Sequence, residues 1–134
     1  MCERRRGGIL FVGSMGSFIG SPNLSVYCGV KAFSRIFSEG LWFECQQHGV
    51  DVLHMCIGFT ATPSMQRLGI DVSSAAPPDA VAQEGLDNIA NGPLLLAGGQ
   101  PTYERALGYS RLDHRAEAVR ASVIQVVMGD AGAS

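Results

Sequence analysis

Apolar residues are arranged along the chain in two alternating patterns. Short, largely apolar runs, typical of buried strands, lie at Ile9–Val12, Val50–Ile57 and Pro93–Ala97. Apolar residues at helical spacing lie at Leu24–Gln47, Pro78 to about Asn91, and Pro101–Met128. Strands that alternate with helices indicate an α/β fold, with a parallel sheet and right-handed crossovers.

The connecting segments have the composition of loops. Gly13–Asn23 is rich in glycine and serine, and the segment after Ile57 is rich in Thr, Ser and Pro as far as Ala76. His48 and Gly49 supply a stop signal for the long helix. We expect a single domain in which residues 101–134 form a helical tail, with Gly129–Ser134 frayed at its end.

The long helix carries more apolar surface than one sheet face requires. One stripe contains Val26, Val30, Phe33, Phe37 and Leu41, and a second contains Gly29, Ala32, Ile36, Gly40 and Phe43. The spare stripe is a candidate subunit interface, and a second layer within the chain would explain it equally well. Three strands also make a thin sheet, and one edge would expose a wholly apolar strand.

The composition of the chain is that of a soluble globular domain and does not favour a nucleic-acid-binding or membrane protein. The 134 residues have a net charge of -2, with 46% hydrophobic and 16% charged residues, as in a soluble globular domain. This charge gives no basic field for nucleic acid, and no apolar run approaches the roughly 20 residues of a membrane span. The four cysteines form no C-x-x-C pair, and the three histidines lack metal-ligand spacing. We therefore expect a cytoplasmic protein with free thiols and no metal site.

Tyr27 and Lys31 are the first candidates for chemistry. They lie one helical turn apart, at the start of a helix that follows a buried strand through a Gly/Ser loop. This places them at the carboxyl edge of the sheet, where α/β folds carry their sites. The ammonium of Lys31 favours the phenolate form of Tyr27, so the phenol could exchange a proton with an alcohol or ketone. Ser14, at the end of the first strand, could hydrogen-bond the substrate oxygen at the same edge; a loop serine that satisfies backbone groups is the alternative.

These residues together resemble the short-chain dehydrogenase/reductase family. The resemblance rests on a strand followed by Gly13-Ser14-x-Gly16, then Ser25-Val26-Tyr27-x-x-x-Lys31, then a strand that runs into Gly58-x-x-x-Thr62. It extends over residues 7 to about 98. Ile57 stands where the family usually has proline before the glycine, which weakens the rigidity expected of that turn.

The resemblance implies a fold and a set of roles. It implies a Rossmann-like parallel sheet and an enzyme that moves hydride between NAD or NADP and a small-molecule carbonyl/alcohol pair. Tyr27 would be the general acid/base, Lys31 would tune it and bind the nicotinamide ribose, and Ser14 would orient the carbonyl. Gly58, Thr60 and Thr62 would lie in the loop that contacts the nicotinamide. Separately, the spare apolar stripe leads us to expect a homo-oligomer through the Leu24–Gln47 helix.

Other features that the family has are not found in this sequence. There is no Thr-Gly-x-x-x-Gly-x-Gly loop, no residue that selects NAD or NADP, no Asn-Ala-Gly turn and no relay asparagine on a preceding helix. The sheet is therefore expected to be incomplete, with the N-terminal Gly-rich half absent. Our hypothesis is that residues 1–134 are the C-terminal part of a single family domain.

Two other interpretations remain. Gly13-x-x-Gly16-x-x-x-Gly20 could itself be a dinucleotide loop, but it matches only part of the G-x-G-x-x-G spacing. The second belongs to another class, namely a non-catalytic half-domain that acts only by association with another chain. Nicotinamide cofactor binding by the purified chain distinguishes this alternative from an enzyme.

Overall fold

The sheet is parallel, as the alternation of patterns predicts. The computed structural model describes residues 1–122, in which three strands follow the order β1 (Gly8–Ser14), β2 (Asp51–Ile57) and β3 (Leu94–Leu96). β1 and β2 pair along their whole length, from Gly8 opposite Asp51 to Ser14 opposite Ile57. The α/β architecture with a Rossmann-like parallel sheet is thereby confirmed.

Helices connect the strands at nearly the predicted places. They are α1 (Ser25–Gln46), α2 (Pro63–Arg67), α3 (Pro78–Asp87), α4 (Gln100–Ser110) and α5 (Arg115–Ala121). The prediction for α1 was right to within one residue at each end. Pro78 lies in the first turn of α3, where a missing backbone N–H costs nothing.

Two sequence expectations were wrong in detail, and the tail has a break that the pattern did not predict. The loop that follows β2 contains the short helix α2, capped by Thr62. The predicted helix to Asn91 ends at Asp87 and is followed by a 3-10 turn at Ile89–Asn91. The tail with helical spacing contains two helices, α4 and α5, separated by a break before His114, which has a left-handed φ of 54°. The predicted continuation to Met128 and the frayed terminus lie outside the described residues.

The core is centred on β2. Its inner residues Val52, Leu53, His54, Met55 and Cys56 are all buried, with exposed fractions of at most 1%. β2 has this environment because it is the middle strand, with a neighbour on either side. β1 and β3 form the edges, and Val12 on β1 is largely exposed.

The buried face of α1 differs from the two predicted apolar stripes. The residues of α1 that are fully buried are small: Cys28, Ser38 and Cys45. The large side chains Val26, Phe33 and Phe43 are 70–79% exposed. The expectation that one large stripe would cover the sheet was therefore wrong, because small residues let the helix backbone lie close to the strands.

Residues 1–122 contain neither a membrane-spanning helix nor a cluster of metal ligands. Within this part of the chain, no helix has both the length and the apolar character needed to cross a membrane. In the same residues, no three His, Cys, Asp or Glu side chains are grouped as a metal site would require.

Candidate active site

The carboxyl ends of β1 and β2 form one edge of the sheet, and the candidate residues meet there. Ser14 is the last residue of β1 and lies opposite Ile57, the last residue of β2. α1 begins at Ser25, so Tyr27 occupies its first turn. The parallel register therefore places the serine, the tyrosine and the loop that follows β2 at the same edge.

A tight turn at Gly16 brings Ser14 and Tyr27 near each other. Ser14 Oγ accepts a hydrogen bond of 3.1 Å from the amide of Gly16 and caps the 3-10 turn Met15–Ser17. A Cβ added to Gly16 would lie 3.3 Å from Cε1 of Tyr27 and 3.5 Å from Ser14 Oγ. The side chains of Ser14 and Tyr27 thus flank Gly16, where even a methyl group would be tightly packed. Because Ser14 accepts in this bond, its own O–H can still donate.

Lys31 lies between the tyrosine and the first strand. Its Nζ donates a hydrogen bond of 3.1 Å to the carbonyl oxygen of Val12 and lies 5.8 Å from the centroid of the Tyr27 ring. An ammonium has three N–H donors, so this bond leaves two for other acceptors. Tyr27 is 43% exposed, so part of this residue is accessible from outside the fold.

The loop after β2 is held by its own threonines. Thr60 is buried, donates to the carbonyl of Gly58 at 3.2 Å and forms a parallel bridge with Ala76. Thr62 Oγ1 accepts from the amide of Met65 at 3.4 Å and so caps α2. Both hydroxyls support the loop, and a Cβ placed on Gly58 would meet no atom within 4 Å, so the edge at Gly58 is open.

This donor set fits the nicotinamide end of a dinucleotide. A ribose offers hydroxyl oxygens, which the free N–H groups of Lys31 and the phenol of Tyr27 can hydrogen-bond. The open space at Gly58 leaves the backbone of the loop approachable.

Two buried titratable groups lie beneath this edge, and neither was predicted as a site residue. Burial lowers the pKa of His54 from 6.5 to about 4, with Arg35 and Lys31 as smaller contributors. Burial raises the pKa of the Cys56 thiol, against the smaller opposing effect of its contact with Ser17. The only signal for His54 was a polar residue inside the apolar part of a strand whose other polar residue, Asp51, lies at its start.

Comparisons with known proteins agree with this architecture. The family model described as short chain dehydrogenase matches residues 1–73. Very-long-chain 3-oxoacyl-CoA reductase from Aspergillus oryzae is 27% identical over 132 residues, which cover 98% of this chain and 35% of the relative. 7beta-Hydroxysteroid dehydrogenase from Clostridium sardiniense is 30% identical over 100 residues, which cover 72% of this chain and 38% of the relative.

Solved structures show the same fold. A 7beta-hydroxysteroid dehydrogenase superposes with a TM-score of 0.71 at 24% identity, over 89% of this chain and 48% of that chain. A short-chain dehydrogenase from Sphingobium yanoikuyae, solved in complex with NADPH, superposes with a TM-score of 0.55 at 22% identity. That match covers 96% of this chain and 50% of the other chain.

The family assignment rests on the extent of the family-model match. Residues 1–73 are more than half of the chain and include Ser14, Tyr27, Lys31 and the loop from Gly58 to Thr62. The chain spans about a third of the length of the curated relatives it matches. With the parallel sheet and the residues at its edge, the match shows that this chain belongs to the short-chain dehydrogenase family.

Proposed function

We propose that this chain contributes the proton-transfer site of an oxidoreductase that interconverts a carbonyl and an alcohol with NAD or NADP. The observation that carries the proposal is the meeting of three groups at one sheet edge. Ser14 and Tyr27 flank Gly16, and Lys31 lies one helical turn beyond Tyr27 with donors to spare. Family membership supports this class of reaction.

Each residue of the proposed site has a role that follows from its chemistry. A bound nicotinamide supplies or accepts the hydride. When a ketone is reduced, the O–H bond of Tyr27 breaks and its proton goes to the carbonyl oxygen, which becomes the alcohol; oxidation runs in reverse. The ammonium of Lys31 stabilises the phenolate that remains and donates to the ribose hydroxyls. Ser14 donates its free O–H to the same carbonyl oxygen and orients it.

The loop after β2 supplies the remaining contacts in this proposal. Gly58, Thr60 and Thr62 would hold the nicotinamide side of the cofactor through backbone groups and the Thr62 hydroxyl. Thr62 already accepts a hydrogen bond from Met65, so only its O–H proton is available. Thr60 acts through the shape of the loop, because its hydroxyl donates to Gly58.

We further propose an apolar ketone as the substrate. Two relatives are named for a very-long-chain 3-oxoacyl-CoA and for a hydroxysteroid, both of which carry large apolar bodies. In this chain, Phe59 and Leu68 are exposed on the segment that follows β2. Phe59 directly follows Gly58, so its side chain offers apolar surface beside the proposed reaction edge.

The proposal is tested by cofactor-dependent turnover of the purified chain. NADH or NADPH is supplied with a 3-oxoacyl thioester or an oxosteroid, and loss of nicotinamide absorbance is followed. The expected result is saturable turnover, with a higher rate for one of the two cofactors. Absence of both binding and turnover would contradict the proposal for this chain.

A second candidate function has an observation of its own. Val26, Phe33 and Phe43 are large apolar residues that lie exposed along α1, and β1 is an edge strand. This surface supports a chain that acts by association, either as a homo-oligomer through the Leu24–Gln47 helix or as a non-catalytic half-domain bound to another chain. Association without cofactor binding would favour the non-catalytic form.

The domain assignment remains a proposal as well. We propose that residues 1–134 belong to one domain of this family, with residues 101–134 as its helical tail. Limited proteolysis tests this division, since a separate tail is cut near Arg111–His114 before the sheet is. Location in the cytoplasm stays a prediction from the sequence.

A further inference from the structure

His54 is wedged between the helix and the end of the first strand. It lies in the middle of β2, its side chain is fully buried, and its ring stacks on Phe11 with centroids 6.1 Å apart. A Cβ added to Gly13 would lie 2.0 Å from His54 Nε2 and 2.8 Å from its Cδ2. The imidazole edge therefore lies directly against the backbone of Gly13, and only glycine fits there.

Ser38 fixes the opposite side of the ring. Its buried hydroxyl donates to the carbonyl of Arg35 at 2.8 Å and lies 2.9 Å from His54 Nδ1. The hydroxyl has one proton, and the bond to Arg35 uses it, so Nδ1 is the donor to Ser38. We assign the Nδ1–H tautomer on this network, which leaves Nε2 as a bare acceptor facing Gly13.

A second proton on the His54 ring, at Nε2, would find no hydrogen-bond acceptor among the described residues. Nε2 is buried without a hydrogen-bond partner in the described residues, and an added N–H there would face the Gly13 backbone. Lys31 and Arg35 on α1 are the cations that act on the ring, and Glu39 is ion-paired with Arg35 at 2.8 Å. β1 (Gly-Ile-Leu-Phe-Val-Gly-Ser) and β3 (Leu-Leu-Leu) bring no titratable side chain, and β2 itself adds only Asp51 and Cys56.

Gly13 lies between two groups of the proposed site. Val12 precedes it, and the Val12 carbonyl accepts the hydrogen bond from Lys31. Ser14 follows it and caps the turn that carries Gly16. A shift of Gly13 would therefore move the anchor of Lys31 and the hydroxyl of Ser14 together.

We propose that His54 is a positioning residue for this site. Its neutral Nδ1–H imidazole, oriented by Ser38, supports Gly13 and so fixes Val12 and Ser14 at the carboxyl end of β1. The inference deepens the proposed function and rests on it, since Ser14 and Lys31 are the groups that His54 positions. His54 touches neither substrate nor cofactor in this scheme.

The tautomer is tested by the ¹⁵N signals of the imidazoles in the labelled 134-residue chain. We expect His54 to show a protonated Nδ1 and a bare Nε2, unchanged between pH 7 and pH 5.5. His114, which is exposed, serves as the reference ring. A protonated Nε2 at pH 7, or an imidazolium at pH 5.5, would overturn the inference.

The positioning role is tested by two near-isosteric variants. His54→Asn keeps a donor near the Nδ1 position but removes the contact with Gly13, whereas His54→Gln retains bulk on that side. We expect His54→Asn to shift the amide signals of Ser14 and Gly16 and to speed exchange of the Gly16 amide roughly tenfold. In His54→Gln, the amide signals and the exchange rate should lie close to those of the unaltered chain. His114→Asn should change neither the signals nor the exchange rate.

The outcomes separate this inference from the proposed function. Amide signals of Ser14 and Gly16 that stay unchanged in a folded His54→Asn chain would reduce His54 to a packing residue. If that variant does not fold, the tautomer of the unaltered chain decides. Neither readout depends on turnover, so the enzyme proposal can fail while the arrangement at Gly13 stands, or the reverse.

Discussion

The two faces of α1 use opposite kinds of side chain. The face against the sheet buries small residues, Cys28, Ser38 and Cys45, and half-buries Lys31. The other face exposes Val26, Phe33 and Phe43. An ordinary amphipathic helix has its large apolar residues inside.

The difference shows what each face is suited to do. Small residues bring α1 close enough for Lys31 to reach the Val12 carbonyl and for Ser38 to reach His54. Large exposed residues can stabilise the chain only when something covers them. The inner face of α1 thus positions individual side chains through specific contacts. The outer face offers exposed apolar surface that another chain could cover.

Removal of the single lysine should have the largest effect on the inner face. Lys31 is the only lysine in the sequence, and Lys31→Met deletes the cation beside Tyr27 and its donors to the ribose. We expect turnover to fall by a factor on the order of 10²–10⁴, measured as kcat/KM for the nicotinamide cofactor. Arg67→Met, at an exposed cation on α2, is the matched control. Equal losses in both variants would contradict a specific role for the inner face.

Acidification should weaken the inner face through His54. The pKa of His54 is about 4 in the fold against an ordinary 6.5, so between these values the unfolded state binds more protons and stability rises with pH. The free energy of unfolding should fall by up to about 3 kcal/mol from pH 6.5 to pH 4, measured by urea titration. Asp71 and Asp113 have pKa values below 3.8, so their contributions are lost at lower pH. A slope that persists in His54→Gln would assign the effect elsewhere.

A larger side chain at Gly13 should have a smaller effect than the two changes above. Gly13→Ala forces a Cβ to within 2.0 Å of His54 Nε2, where neither strand nor ring can easily yield. We expect a loss of about 1–3 kcal/mol in the free energy of unfolding. Gly20→Ala is the control, because a Cβ there meets nothing within 4 Å. A loss as small as that control's would show that the imidazole is free to move.

Polar substitution on the outer face should leave stability nearly unchanged and alter association. Phe33 and Phe43 are 70% and 72% exposed, so Phe33→Ser with Phe43→Ser should change the free energy of unfolding of the monomer by less than about 0.5 kcal/mol. Light scattering should show a lower average mass than for the unaltered chain. Leu112→Ser, also highly exposed but remote in sequence, is the control. An unchanged mass would remove the support for association through α1.

Local patterns were enough to predict most of the fold. Largely apolar runs located β1, β2 and β3, and helical spacing located α1 within one residue at each end. The break before α5 was missed because it depends on a left-handed His114, a conformation that leaves little trace in the hydrophobic pattern. Helix α2 was missed because five residues carry too little periodicity to be recognised.

The candidate site divides in the same way. The pattern predicts that Ser14, Tyr27 and Lys31 meet at one edge, since a strand end and the first turns of the next helix lie together, and the family resemblance selected them as site residues. The burial of Ser38 and the contact of His54 with Gly13 could not be predicted from the sequence. Both depend on how closely α1 approaches the sheet. That approach is a property of packing, which no periodicity records.

The most direct test of the proton-transfer site is the turnover of Tyr27→Phe beside Tyr103→Phe. Tyr103 is a comparably exposed tyrosine on α4, so the pair removes the same hydroxyl from two places. With NADH or NADPH and an apolar ketone, Tyr27→Phe should lose a factor on the order of 10²–10⁴ in kcat, while Tyr103→Phe stays near the unaltered chain. Turnover that survives in Tyr27→Phe would contradict the account.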